Sequence, residues 1–460
     1  MLENFKHSGD WFIPNTEEKQ VVGIISYDSQ KGIELELFGS LLERQADNYL
    51  KVQIILGISN SGKMITLYDC FETNRTVSTP GKTICKFNAQ YMFIGHHFKS
   101  ESDLYFDSIY AKLNNLDNWI KNYGFKKVDS NLSQKKTLIE FELPKPIEFK
   151  ISSNLSAKIN FTYSAPFRQE TNKITIEQKS ELHIKSQINK EIKDLLLDFA
   201  HFQNFITLGT FKPSYPTSLK LGSTLLKRQL RNGEIPLIID FYFRHSALID
   251  KNENYKHNIF LFSFQDIKPN FEIIIEKWYS LEKLIKPITN ILIDSFYSKG
   301  IFDENKFLNM VQGLETFHRR FRKNKILEEK EHKKRKVEVL TSTPLKHKKW
   351  IENLLNFSNE PTLHMRLEQI LLELDIKTIQ KIIKDKEQFI KDVKNSRNYY
   401  THYDKSLEKK AKKGSALFYL KEKLKILLIC IVLKETGFSN QQIEKLLEKK
   451  EWIFFNHLLD

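Results

Sequence analysis

Midway along this chain the spacing of the apolar residues changes from two to between three and four. No single layer of strands or of helices can use both patterns. Between Val21 and Tyr110 apolar and polar residues alternate. A strand sends successive side chains to opposite faces, so alternation half-buries a sheet. Ile33-Glu34-Leu35-Glu36-Leu37-Phe38 is the clearest run. Further strands are expected at 21–25, 52–58, 64–71, 83–87, 91–94 and 104–110, with Gly, Asn, Ser and Pro between them, as a barrel or a sandwich requires. A short helix is expected at 113–119. After Pro269 the period lengthens. Ile274, Trp278, Leu281, Ile285, Ile288 and Leu292 make one amphipathic stripe; Phe307, Val311, Leu314, Phe317 and Phe321 make a second. Leu363, Leu367, Ile370 and Leu374 make a third, and two more lie at 379–393 and 417–431. Gly437 is placed to end the last of these, and Ser439 and Gln442 have capping-box spacing for a final short helix.

The pattern is that of an α+β multidomain protein. An all-β N-terminal domain covers 1–145, a mixed α/β middle section 146–268, and an α-helical bundle 269–460. Pro144 and Pro146 punctuate the first boundary. The middle section is expected to hold short strands at 174–176, 182–184 and 237–243 and a helix over 190–208.

Lys and Arg exceed Asp and Glu by 15, which favours a polyanionic partner, either nucleic acid or an acidic membrane surface. Between Arg319 and Lys349 there are 13 Lys and Arg against 4 Asp and Glu, a local excess of +9. A run like this is either a solvated face or a grip on a phosphate backbone. Lys333, Lys334, Arg335 and Lys336 are its densest part and the candidate RNA-binding residues. The 3 cysteines form no CxxC pair, which argues against a disulfide scaffold and a cysteine zinc site. Residues 1–10 lack a signal-peptide pattern, and the longest apolar run, 426–433, is too short to span a bilayer. A cytoplasmic protein with no membrane attachment is expected.

The residues with chemistry to offer are Arg397-Asn398-Tyr399-Tyr400-Thr401-His402. An imidazole titrates near neutrality and can pass a proton to or from a ribose 2′-hydroxyl. A guanidinium stays charged and presents a fork of donors to phosphate oxygens. Together Arg397 and His402 could break an RNA phosphodiester, with Asn398 as a supporting polar group; no metal and no cofactor are expected. On a regular helix the two would point about 140° apart, at about 100° per residue. Either the helix breaks near Tyr399-Tyr400, or two chains share the cleft, which argues for a homodimer.

Three other features are weaker. Gly57-Ile58-Ser59-Asn60-Ser61-Gly62-Lys63 has the GxxxxGK spacing of a phosphate-binding loop, but Met64 replaces the Ser or Thr that would hold Mg²⁺, and a strand pattern follows where a helix is needed. A hairpin turn is expected there instead. His96-His97 would point to opposite faces of a strand, with no third ligand at a suitable spacing. Glu315 and His318, one helical turn apart, could support a cleft or simply form a solvated pair.

The run Arg-Asn-x3-His late in a helical bundle resembles the signature of HEPN domains, many of which are metal-independent endoribonucleases that act as dimers. Gly9-Asp10-Trp11-Phe12-Ile13-Pro14, Val22-Gly23, Leu35-Glu36-Leu37-Phe38-Gly39 and Leu116-Asp117-Asn118-Trp119 are similar to the β domain that opens the ApeA class of bacterial anti-phage proteins. Trp278, Gly313-Leu314-Glu315-Thr316-Phe317-His318 and Arg366-Leu367 fit the same class. The resemblance implies a HEPN-like bundle with Arg397 and His402 as the ribonuclease pair and Asn398 beside them. It also implies abortive infection, in which a phage-encoded trigger switches on cleavage of host RNA, with tRNA as the expected substrate. The basic insertion between the second and third helices departs from the pattern and leaves the shape of the cleft open. The alternative is a non-catalytic bundle that dimerises and binds RNA, with the β domain as the recogniser.

Overall fold

The protein's structure, a computed structural model, describes residues 3–42, 50–78, 81, 83–131, 136–165, 174–230, 233–245, 260–297 and 302–449. The chain divides into two compact units, Met1–Glu272 and Ile273–Asp460. In the first unit come β1 (Phe5–Phe12), β2 (Val21–Asp28), β3 (Gly32–Leu37), β4 (Lys51–Ser59), β5 (Met64–Val77), β6 (Thr83–Ile94) and β7 (Tyr105–Leu113). After a one-turn helix, α1 (Leu116–Ile120), follow β8 (Phe125–Asn131), β9 (Lys136–Phe141), β10 (Ile147–Lys150), β11 (Leu155–Ser164) and β12 (Glu177–Glu191). Then come α2 (Ile192–Thr210), β13 (Pro216–Leu230), β14 (Gly233–Phe243) and α3 (Phe264–Ile267).

Twelve strands form one antiparallel sheet in the order β10-β11-β12-β7-β13-β14-β6-β3-β2-β1-β4-β5, and β5 pairs back onto β6. The last six strands therefore close into a barrel. Closure leaves no free edge, and the barrel interior is filled by Trp11, Ile25, Leu35, Leu37, Ile55, Leu67, Phe87 and Met92, all nearly or fully buried. Trp11 stands opposite Gly57 in the β1–β4 register. A Cβ on Gly57 would come 2.4 Å from the indole ring, so only glycine lets that ring lie flat over β4. The two runs expected at 83–87 and 91–94 are a single strand. Asn88 and Ala89 pair with β3 on one side and β5 on the other, so cross-strand hydrogen bonds override the polar interruption.

The strands of the middle section join the same sheet through β12–β7 and β14–β6. The helix α2 packs on β7 and β12 with Leu195, Phe199, Phe202, Phe205 and Ile206 buried at helical spacing. Residues 174–176 are not a strand; β12 begins at Glu177. The loop at Gly57–Lys63 is the β4–β5 turn, in which the Gly62 N–H donates to the Ser59 carbonyl (2.8 Å) and Gly62 takes φ +76°.

The second unit is helical: α4 (Phe271–Ser280, which begins just before it), α5 (Glu282–Tyr297), α6 (Asp303–Phe321), α7 (Glu329–Ser342), α8 (Leu345–Leu354), α9 (Leu363–Glu373), α10 (Lys377–Ile382), α11 (Lys386–His402), α12 (Gly414–Glu435) and α13 (Asn440–Glu448). The single stripe expected over 274–292 is two helices that part at Leu281. Pro287 inside α5 has no N–H for the Lys283 carbonyl, and Arg320 of α6 donates to the carbonyls of Lys283 (3.4 Å) and Leu284 (3.1 Å) instead. The centre of the bundle is α12, buried throughout from Ile426 to Leu433 and packed on α5 and α6. Gly437 takes φ +103° beyond its end, and Ser439 with Gln442 forms the expected capping box of α13. By contrast α7 and α8, which carry most of the basic insertion, bury none of their residues. Among the described residues no helix is long and apolar enough to cross a membrane.

Candidate active site

α11 carries the Arg-Asn-x3-His run. Asp385 caps its start by accepting from the Gln388 N–H (2.9 Å), and Phe389, Ile390, Val393, Ser396 and Tyr400 form its buried face. The helix runs unbroken through Tyr399-Tyr400 and ends after His402, where Tyr403 takes φ +51°. Of the two arrangements left open by the sequence, a break within the motif is therefore not found. Tyr400 OH donates to the Lys412 carbonyl (2.9 Å) and the Lys412 N–H donates to Ser396 Oγ (2.9 Å). These two bonds tie the segment after the helix back onto its last turns.

Arg397 and Asn398 sit half-buried, and His402 is exposed in the last turn. Arg397 Nη1 donates to Asn398 Oδ1 (3.3 Å), while Nη2 lies 3.9 Å from Glu315 Oε2 on α6. Among the described residues no side chain hydrogen-bonds to His402. Arg397 is thus held against α6, whereas His402 projects from the helix end with both ring nitrogens open. The helical twist leaves the two on different faces of one chain.

Behind Glu315 lies a polar cluster whose members come from α6, α9 and the turn before α9. His318 is fully buried, not a solvated partner of Glu315. Its Nδ1 accepts from Arg366 Nη1 (2.9 Å), which leaves the ring proton on Nε2 to be donated to Gln369 Oε1 (2.8 Å). Burial depresses its pKa and the Arg366 charge adds to the effect, though the Gln369 hydrogen bond opposes it. Arg366 itself is only 2% exposed, with Nη2 3.6 Å from Glu360. The sequence did carry a signal for this residue: an arginine in the middle of the Leu363–Leu374 apolar stripe has to be accommodated by partners.

The basic insertion is less free than its composition implies. Arg322 is pinned by Glu373 and by Glu435 (2.7 Å) and lies over the Phe317 ring, so it is half-buried and held against the bundle. Arg319 pairs with Glu360 (2.9 Å), Lys323 with Glu328 and Lys325 with Glu329. On α7, Lys333 and Arg335 reach Glu329 (3.9 Å) and Glu331 (3.7 Å), one turn back. Lys334 and Lys336 have no ion-pair partner among the described residues. Beyond the motif Lys412 pairs with Asp392 (3.1 Å) and Lys413 with Glu408 (2.9 Å), which leaves Lys409 and Lys410 unpaired among the described residues. Among those residues, too, no group of three His, Cys, Asp or Glu is placed to hold a metal ion.

Residues 6–278 match the family model described as ApeA N-terminal domain 1, and residues 308–442 match the one described as Apea-like HEPN. No curated protein and no solved structure matches the chain. Since the first match spans more than half of the 460 residues and the second covers the helices that carry Glu315, Arg366, Arg397 and His402, the chain belongs to the ApeA family of anti-phage proteins, with a HEPN domain in its helical unit.

Proposed function

We propose that the protein is an endoribonuclease of abortive anti-phage defence, which cleaves host RNA, tRNA in particular, without a metal. The observation that carries this reading is the state of the motif. A fixed guanidinium and an imidazole with no hydrogen-bonding side chain stand at the end of one helix of a HEPN domain.

In the reaction the ribose 2′-oxygen attacks the adjacent phosphorus and gives up its proton, and the bond from phosphorus to the 5′-oxygen breaks as that oxygen gains a proton. His402 serves one of these transfers, as base or as acid. Arg397 neutralises the charge that builds on the pentavalent phosphorus, with Glu315 and Asn398 fixing its direction. The products are a 2′,3′-cyclic phosphate and a 5′-hydroxyl. Because one helix aims the two groups apart, each cleft takes Arg397 from one chain and His402 from a second copy. This makes the homodimer the active form and the cytoplasm, where tRNA is found, its place of work. Lys334 and Lys336, with Lys333 and Arg335 beside them, hold the RNA backbone. The β unit receives the phage-encoded trigger or restrains the nuclease.

Single-turnover incubation of the purified protein with tRNA in EDTA tests this reading. Cleavage that leaves a cyclic phosphate supports it. Binding without cleavage under all conditions would favour the non-catalytic scaffold.

A further inference from the structure

At the β10 margin of the sheet in the first unit, the face turned away from α2 carries a cavity of about 570 Å³. Its floor follows from register. Glu148, Lys158, His183 and Tyr110 stand side by side across β10, β11, β12 and β7, and Lys150, Ser156, Lys185 and Ser108 make the next row on the same face. Between the rows Phe149, Ala157, Ile184 and Ile109 point the other way, into the core.

Charge and shape at this face are uneven. Lys158 is neutralised by Glu148 at 2.8 Å, but Lys150 and Lys185 have no ion-pair partner among the described residues. Two lysines left unpaired on the wall of one concavity, with Ser156 between them in register and Ser153 also on the wall, offer charge and hydroxyl donors for an anion. Beside them the His183 ring lies parallel to Tyr110, with centroids 4.1 Å apart and planes 14° apart. Its other face is on the Lys158 side, within the cavity. Burial, reinforced by Lys185 and Lys158, lowers the His183 pKa to about 4, so at neutral pH the ring is an uncharged flat surface. Its Nε2 is buried with no hydrogen-bond partner.

We propose that this cavity binds a nucleoside phosphate: the phosphate between Lys150 and Lys185 and the serine hydroxyls, the base against the face of His183 that Tyr110 does not cover. The volume lies within the 300–1,000 Å³ usual for small-molecule sites. The same chemistry is offered by a free nucleotide and by the 5′-phosphorylated end of a nucleic acid. The proposal does not rest on ribonuclease activity, because none of its residues belongs to the helical unit.

Isothermal titration of the full chain in the absence of RNA tests it, with ATP, GTP, inorganic pyrophosphate and a 5′-phosphorylated dinucleotide as probes. A nucleotide or the dinucleotide is expected to bind more tightly than pyrophosphate, and whichever of the two is tighter identifies the source. The double variant Lys150→Gln/Lys185→Gln, which removes two exposed side chains, should weaken binding about tenfold or more, as removing two charge-assisted hydrogen bonds requires. His183→Leu should bring nucleotides down to the affinity of pyrophosphate. No saturable heat from any probe, equal affinity of wild type for pyrophosphate and nucleotides, or undiminished binding by the lysine variant would overturn the proposal.

Discussion

Arg397 is aimed by Asn398 and Glu315, whereas His402 has no hydrogen-bonding side chain among the described residues and only the Asp404 carboxylate acts on it through space. The two should therefore respond differently to substitution nearby. Arg397→Ala and His402→Ala are each expected to lower single-turnover cleavage by about 10²–10⁴ with unchanged circular dichroism. Glu315→Gln should lower the rate less than either, because it loosens the guanidinium without removing it. Retention of full activity in both alanine variants would sink the assignment. A second consequence concerns pH. His318 is held neutral in the fold, so its folded pKa lies below that of the unfolded chain, where the imidazole takes a proton near 6.5. His183 behaves likewise, with a folded value of about 4. As the pH falls through the window between the folded and unfolded values the unfolded chain binds more protons, so stability drops. Thermal melts should show a lower midpoint at pH 5 than at pH 7, and His183→Leu should reduce the difference. A midpoint that does not move would mean that these histidines titrate as free imidazoles. At this scale the sequence showed which residue types could do the chemistry, but not their surroundings. Glu315 reaches Arg397 only because α6 and α11 pack side by side, and the burial of His318 depends on Arg366 from a third helix.

Helices and strands were legible where their period is local. The alternation at 33–37 and the stripe at 307–321 correspond to β3 and α6, since each depends on one face meeting a core. Pairing partners were not legible. The barrel's β1–β4 and β3–β6 pairings, and with the latter the long β6 itself, join strands distant in sequence, which no local pattern records. The basic insertion's composition fits a solvated face or an RNA grip but does not disclose its helical form. With no buried residue, α7 is supported by its i, i+4 ion pairs, such as Lys333–Glu329 and Arg335–Glu331, and by contacts outside the helix, among them α8 and the His332–Ser358 hydrogen bond. Replacing Lys333, Lys334, Arg335 and Lys336 with Gln should weaken RNA binding at low salt. It should also flatten the plot of log affinity against log salt by about 0.7 for each phosphate the helix no longer neutralises. Measured in a His402→Ala background, an unchanged slope would mark the helix as merely solvated. The β4–β5 turn gives the opposite expectation. Lys63→Ala should leave stability within about 0.5 kcal/mol and cleavage unaltered, since the side chain is exposed on a hairpin. ATP binding that disappears in that variant would show the turn to be a phosphate loop after all.

For the molecule as a whole, a cleft shared between copies makes a prediction that no single-chain site can imitate. Arg397→Ala and His402→Ala are each expected to cleave about 10²–10⁴ more slowly than wild type alone, but mixing and re-equilibrating them should restore up to about a quarter of wild-type activity, because half the dimers carry one intact cleft of two. Mixtures as inert as their components would place both groups in one chain's cleft or deny them the reaction. The sheet of the first unit has an architectural consequence of its own. β6 bonds to β5 along its whole length, and on its other side it serves β3 from Cys85 to Ala89 and then β14 from Tyr91 to Ile94. One strand is thus the splice between the barrel and the open sheet. A splice cannot be cut without releasing both pieces it joins. The amides of β6 should therefore be among the last in the unit to exchange with deuterium, and should do so only when barrel and sheet come apart together.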